Sequence, residues 1–296
     1  MARIISLTTA CALALAFSST VFAQEYAVRL TRLAKVGEKY RLTATSSLSE
    51  KMKVSRGDAI LQNRDESFSL ELVAEISVLE VSKGGGATRK SIAIEKCLLT
   101  KGGETKPLLA PGTVLMAMLE GGKTVFKVNG TPVDPATEKA ISLAIALDTG
   151  GPSEDAVFGT REKKKVGETW EINTESAIES LKNSIQVKNK ADLKGIATLE
   201  NVVKEGKETF LLVKATFTVN NFTLPAPTEF QTQNNLLQAS ISGKFPIDPA
   251  SKLLENSQRT QLTYLVSDNL DLLSKTRSKI QGSTESQLKY RIEYLP

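Results

Sequence analysis

Apolar and polar residues alternate along most of this chain with a period of two. Tyr40, Leu42, Ala44, Ser46, Leu48, Met52 and Val54 fall on one side, and Arg41, Thr43, Thr45, Ser47, Ser49, Lys51 and Lys53 on the other. Such a run predicts a half-buried strand of an antiparallel sheet with one face in water. Glu50 interrupts the inner row and marks either a bulge or the end of burial. After a turn at Arg56-Gly57-Asp58, Phe68, Leu70, Leu72, Ala74, Ile76 and Val78 define the next strand within residues 67–83. Lys83-Gly84-Gly85-Gly86 turns the chain and residues 87–99 return. Further strands are predicted over 25–33, 114–119, 123–128, 190–203, 208–221, 233–245 and 253–266. A last one carries Leu288, Tyr290, Ile292 and Tyr294. Leu224-Pro225-Ala226-Pro227 breaks the pattern, because proline cannot donate to a ladder. Residues 269–282 read as a polar loop or a strand extension.

One stretch has a different period. Asp134 is a good N-cap and Pro135 suits the first helical position. Ala140, Ile141, Ala144, Ile145 and Leu147 then recur at three- and four-residue spacing, which predicts a helix over about 135–147. Thr149-Gly150-Gly151-Pro152 ends it. Residues 151–160 have the composition of a linker. Residues 176–183 fit a short helix or an irregular crossing equally well.

A short phrase occurs twice, about half a chain length apart: Lys35-Val36-Gly37-Glu38-Lys39-Tyr40 and Lys165-Val166-Gly167-Glu168-Thr169-Trp170. Each reads as a glycine turn that delivers an aromatic residue to the start of a strand. The fold expected is therefore mainly β. It comprises two related antiparallel curved-sheet halves, half-barrel-like, with one clear helix. The halves are residues 24–158 and 159–296, after a leader of residues 1–23. Arg3, the apolar run Ala10–Phe17 and Val21-Phe22-Ala23 give that leader the form of a cleaved export signal. The mature chain is expected to be soluble and periplasmic or extracellular, with no integral membrane span.

The chain has 38 basic and 33 acidic residues and 5% aromatics. That mild balance, with few aromatics to interleave, excludes a nucleic-acid reading. Histidine is absent, so imidazole general-base chemistry and Ser-His-Asp or Cys-His machinery are ruled out. Zinc and copper lose their commonest ligand, and Cys97, the one cysteine beyond the leader, cannot replace it. No metal or cofactor is expected. Cys97 lies in a strand pattern and reads as a buried, inert thiol. The only adjacent acidic pairs, Asp65-Glu66 and Glu154-Asp155, sit in turn-like contexts where carboxylates are solvated. The expectation is a protein that is not an enzyme.

The order of leader, Lys-Val-Gly-Glu-Lys-Tyr, long strands, one helix, Lys-Val-Gly-Glu-Thr-Trp and Ser242-Gly243-Lys244-Phe245-Pro246-Ile247-Asp248 resembles a family of exported bacterial β-rich proteins of unknown function. Their hallmarks are a Val-Gly-Glu/Asp-x-Trp phrase and a later Gly-containing turn that ends in Asp. The resemblance implies no catalytic residues. By fold analogy such chains are similar to periplasmic lipoprotein carriers, whose curved sheets hold an acyl chain against a helix. That analogy implies a lipid or apolar small molecule in a concave sheet, lined here by Val114, Leu115, Met116, Leu119, Ile141 and Ile145. The same residues could simply fill the core. The chain would then be a structural or interaction module with an envelope protein as partner, presenting sheet edges for strand addition.

Overall fold

The computed structural model describes residues 24–224, 230–248, 251, 253–268 and 278–296. The expected leader, the prolines at 225 and 227, and residues 269–277 lie outside that set. The strands are β1 (Tyr26–Ala27), β2 (Lys39–Arg56), β3 (Ala59–Val81), β4 (Ala87–Lys101), β5 (Glu104–Pro107), β6 (Val114–Glu120), β7 (Lys123–Val128), β8 (Thr131–Pro132) and β9 (Lys163–Lys164). They continue with β10 (Thr169–Glu171), β11 (Gln186–Val187), β12 (Leu193–Glu205), β13 (Glu208–Asn220), β14 (Phe222–Thr223), β15 (Phe230–Pro246), β16 (Leu253–Asp268) and β17 (Ser278–Tyr294). The helices are α1 (Pro135–Ser142), α2 (Glu154–Phe158) and α3 (Thr174–Leu181).

A 13-stranded antiparallel sheet runs in the order β10-β12-β13-β15-β16-β17-β2-β3-β4-β6-β7-β8, with β5 beside β4. It stays open, with β10 and β8 at its ends. The two halves thus share one sheet. They meet where β17 pairs with β2, in unbroken register from Ser278 opposite Arg56 to Tyr294 opposite Tyr40. The alternation predicted for β2 holds: Tyr40, Leu42, Ala44, Ser46 and Leu48 are buried and the intervening residues are more exposed. Glu50 marks the end of burial, since residues 59–65 on the paired strand are exposed on both faces.

The repeated phrase builds the same object twice. In the first copy Glu38 N–H donates to Lys35 C=O (3.0 Å), and Gly37 sits at φ 83°. Gly37 N–H donates to Val78 C=O, and Val78 N–H donates back to Glu38 C=O, both at 2.9 Å. In the second copy Glu168 N–H donates to Lys165 C=O (3.1 Å), with Gly167 at φ 88°. Gly167 N–H reaches Leu199 C=O (2.7 Å), and Leu199 N–H returns to Glu168 C=O (3.1 Å). Each turn is therefore clamped to the strand that its own strand pairs with. Tyr40 faces Ile76 and Trp170 faces Ala197 in register. Tyr40 enters the first core, and Trp170 packs against the second while its indole N–H donates to Phe158 C=O (2.8 Å).

Two main cores line one side of the sheet. The first gathers Leu70, Leu72, Ile76, Ile92, Leu115 and Phe126 with Ile141 and Ile145. The second gathers Leu199, Leu211, Val219 and Phe222 with α2, α3 and the N-terminal Val28 and Leu30. The ends of the chain cross over: Val28 and Leu30 serve the second core, and Tyr290, Ile292 and Tyr294 pack on the first.

Three expectations are corrected and one open choice is settled. The strand over 25–33 is reduced to β1, which pairs with β9 alone, because the chain leaves it to bind α2. The helix over 135–147 stops at Ser142. Beyond it Ile145 and Leu147 bury side chains two residues apart, as an extended chain does, and Asp148 N–H donates to Ala87 C=O (2.8 Å). The linker at 151–160 contains α2, whose Val157 and Phe158 are buried in the second core. Residues 176–183 resolve as part of α3, capped by Asn173.

Gly37 and Gly167 each have open space where a Cβ would go. An alanine there meets only backbone strain, about 1–2 kcal/mol at positive φ. We expect Gly37→Ala and Gly167→Ala to lower stability by that amount and by similar extents, as read from urea midpoints at constant m-value.

Candidate functional site

The six residues expected to line a ligand space lie in and around the first core. Leu115, Ile141 and Ile145 are almost fully buried there, and Leu119 packs partly buried against it. Val114 is half exposed, and Met116 alternates away from the buried Leu115 and Ala117. Helix α1 covers this core through Ile141. Asp134 caps it, and the bond from the Thr137 hydroxyl holds the Asp134 carboxyl below the usual range. Lys139 fastens the helix to Glu50 (2.5 Å) and approaches Glu66 (3.7 Å).

A space of about 520 Å³ opens elsewhere, between residues 29–35 and the sheet end where β15 passes to β16. Leu30, Phe245, Leu253, Leu254 and Tyr294 give it an apolar wall. Several interactions fix its shape. The Asp155 carboxylate accepts from the N–H groups of Leu30 (2.6 Å) and Thr31 (3.2 Å), and Asp155 N–H donates to the Thr31 hydroxyl (3.0 Å). The Arg32 guanidinium donates to Ser251 C=O (2.6 Å) and to Glu38 (2.7 Å), and lies 3.5 Å from the centre of the Tyr294 ring. Ile247 N–H donates to Thr209 C=O (3.0 Å), anchoring the turn after β15. Tyr294 in turn contacts Tyr40, with ring centres 5.6 Å apart. Arg29 and Lys35 also line the cleft, exposed and with no ion-pair partner among the described residues.

Beside this cleft a polar seam separates the two cores. Asn256 is opposite Tyr290 in register and next to its hydroxyl. It is 4% exposed, and neither its amide nitrogen nor its oxygen reaches a partner at hydrogen-bond geometry. The Glu154 carboxyl lies near Tyr290. Burial, reinforced by the neighbouring Asp155 charge, pushes its pKa up to about 7. Burial also raises the Tyr290 and Tyr40 hydroxyls well above their usual value, and Tyr294 to about 12. These phenols stay protonated at any physiological pH. They serve as apolar walls with a polar tip.

The acidic pairs read as solvated turns are placed otherwise. Glu154 is partly buried and Asp155 is pinned by backbone donors. Asp65 and Glu66 lie within β3, where bonds from Lys101 and Arg64 hold Glu66 down at about 2. Cys97 is buried in β4, and burial raises its thiol to about 11, an unreactive state at neutral pH. Among the described residues no group of three or more potential ligands could hold a metal ion. Nor is any described helix long and apolar enough to cross a membrane.

Sequence reasoning missed Arg29, Arg32, Asp155, Leu253, Leu254 and Tyr294 as neighbours of one space. The signal that was present is the Phe245-Pro246-Ile247 turn, since all three of these residues line the cleft. Lys35, from the first repeated phrase, lines it too.

The raised Glu154 pKa sets a pH dependence. Between the ordinary value of 4.5 and about 7 the folded chain keeps a proton that the unfolded chain loses. Stability contributed by the neutral carboxyl is therefore full below 4.5 and lost as pH rises through 7. The depressed Glu66 acts in the opposite sense and only below 4.5. Urea midpoints measured from pH 5 to 8 should fall in the wild type and stay nearly flat in Glu154→Gln. Neither a family model nor a curated protein sequence matches this chain.

Proposed function

We propose that the protein is a non-enzymatic exported protein of the cell envelope that holds an apolar or lipidic ligand. The observation that carries this reading is the cleft of about 520 Å³ walled by Leu30, Phe245, Leu253, Leu254 and Tyr294. Its volume falls within the usual range of small-molecule sites, roughly 300–1,000 Å³. Its wall is aliphatic and aromatic, and Arg32 and Asp155 at its border are already committed to holding the walls in place. Such a space rewards a hydrocarbon chain. About ten buried methylenes contribute roughly 8 kcal/mol, which puts the upper end of affinity near micromolar before ordering costs.

The test is a titration with a fluorescent fatty acid, paired with native mass spectrometry of the purified protein for retained lipid. We expect saturable binding. Leu253→Trp, which fills the cleft, should weaken it by about tenfold or more, the loss of two methylenes of contact. No retained lipid together with no binding of the probe would remove the reading.

The burial of Leu115, Ile141 and Ile145 beneath α1 favours a second reading, an interaction module without a small ligand. In the described structure β12 carries β10 and its turn only as far as Leu199, leaving residues 200–205 on an open edge that could accept a partner strand. Crosslinking in the native envelope supports this reading if it traps a discrete protein on that edge, and a null result there argues against it.

A further inference from the structure

We propose that the mouth of the cleft docks on an anionic lipid surface and that the ligand enters from it. The inference rests on the reading of the cleft as a lipid site. Two aliphatic residues that line the cleft are also exposed to water: Leu33 at 60% and Ile247 at 41%. Val36, close by in the first repeated turn, is 64% exposed. Leu33 is not a loose side chain. A Cβ added to Gly85 would stand 2.7 Å from it, so the glycine turn between β3 and β4 forms a seat for this leucine. The same turn contributes Gly84 to the cleft. A fixed, water-exposed aliphatic group at the lip of an apolar cleft is costly for a protein that meets only solvent, and favourable for one that meets acyl chains.

The charges around this lip are unbalanced. Arg29 and Lys35 line the cleft and have no ion-pair partner among the described residues. The nearby carboxylates are engaged: Glu38 pairs with Arg32, and Asp155 accepts two backbone N–H groups. Unpaired cations beside exposed aliphatic side chains match an anionic lipid surface, where the headgroups carry the negative charge and the acyl region begins just below. A neutral surface would satisfy the leucine and leave the cations unanswered. The other prominent exposed aliphatic pair, Ile60 and Leu61 near the β2–β3 turn, has no part in the cleft lining and serves as a control.

The experiment is vesicle flotation of the purified protein, using phosphatidylcholine vesicles with and without phosphatidylglycerol. We expect binding to the anionic vesicles, weakened by salt, and little to the neutral ones. Arg29→Gln with Lys35→Gln should weaken it by about thirtyfold. Leu33→Ser should also weaken it, whereas Ile60→Ser with Leu61→Ser should not, with circular dichroism confirming the fold of each variant. Equal binding to both vesicle types, no binding to either, or loss through the Ile60 and Leu61 variant in place of the lip would overturn the proposal. The fatty acid titration on the wild type, without vesicles, separates the two ideas. If the probe binds and the protein ignores anionic vesicles, docking fails and the cleft reading stands. If the probe does not bind and no lipid is retained, the cleft reading falls and takes this inference with it.

Discussion

The pairing of β17 with β2 is the constraint on which the rest depends. It turns two short-range assemblies of hairpins into one sheet and brings Tyr294 opposite Tyr40. A slip of one residue in that register would turn Leu288, Tyr290, Ile292 and Tyr294 to the wrong face and strip the first core of part of its cover. The same pairing brings Tyr294 under the Arg32 guanidinium, and so sets one wall of the cleft. Fold and site therefore share their most important contact.

The two cores do not merge across this junction. The inner rows of β16 and β17 bring polar groups, among them Asn256, Gln258, Thr260 and Ser286, between them. Buried polar groups without partners are costly, and Asn256 has both amide atoms in that condition. The tyrosine hydroxyls suit such a seam, since each is polar without carrying charge, and so does the Glu154 carboxyl while it holds its proton below about pH 7. The second core also draws on the first half, through Val28, Leu30 and the residues of α2, as the first core draws on Tyr290, Ile292 and Tyr294. This mutual dependence explains why the halves, though built on the same turn, are not separate bodies.

Much of the fold was legible in the residues. Period-two alternation located the strands because one face of each is buried, and the repeated Lys-Val-Gly-Glu turn was recognisable because glycine must supply a positive φ in both copies. What was not legible depended on partners distant in sequence. Ile145 and Leu147 matched a helical spacing, and only the open edge at Ala87 decides that they are extended. Glu154 and Asp155 looked like loop carboxylates because nothing nearby in the chain reveals that Leu30 and Thr31 will donate to one and that the other will be buried near Tyr290. The cleft was hidden for the same reason. It is made where five segments distant in sequence meet, and only the Gly243–Asp248 turn hinted at it.

The crossing-over of the chain ends has a kinetic consequence. β2 and β17 stand near opposite ends of the described chain, so their union closes a very long loop and belongs to the slowest class of folding events. Until it happens, β2 and β17 each offer a long unpaired edge, and a partly folded molecule is exposed to mispairing with its neighbours. A chaperone that shields those two edges would govern the yield of the native molecule more than any factor acting on the local hairpins.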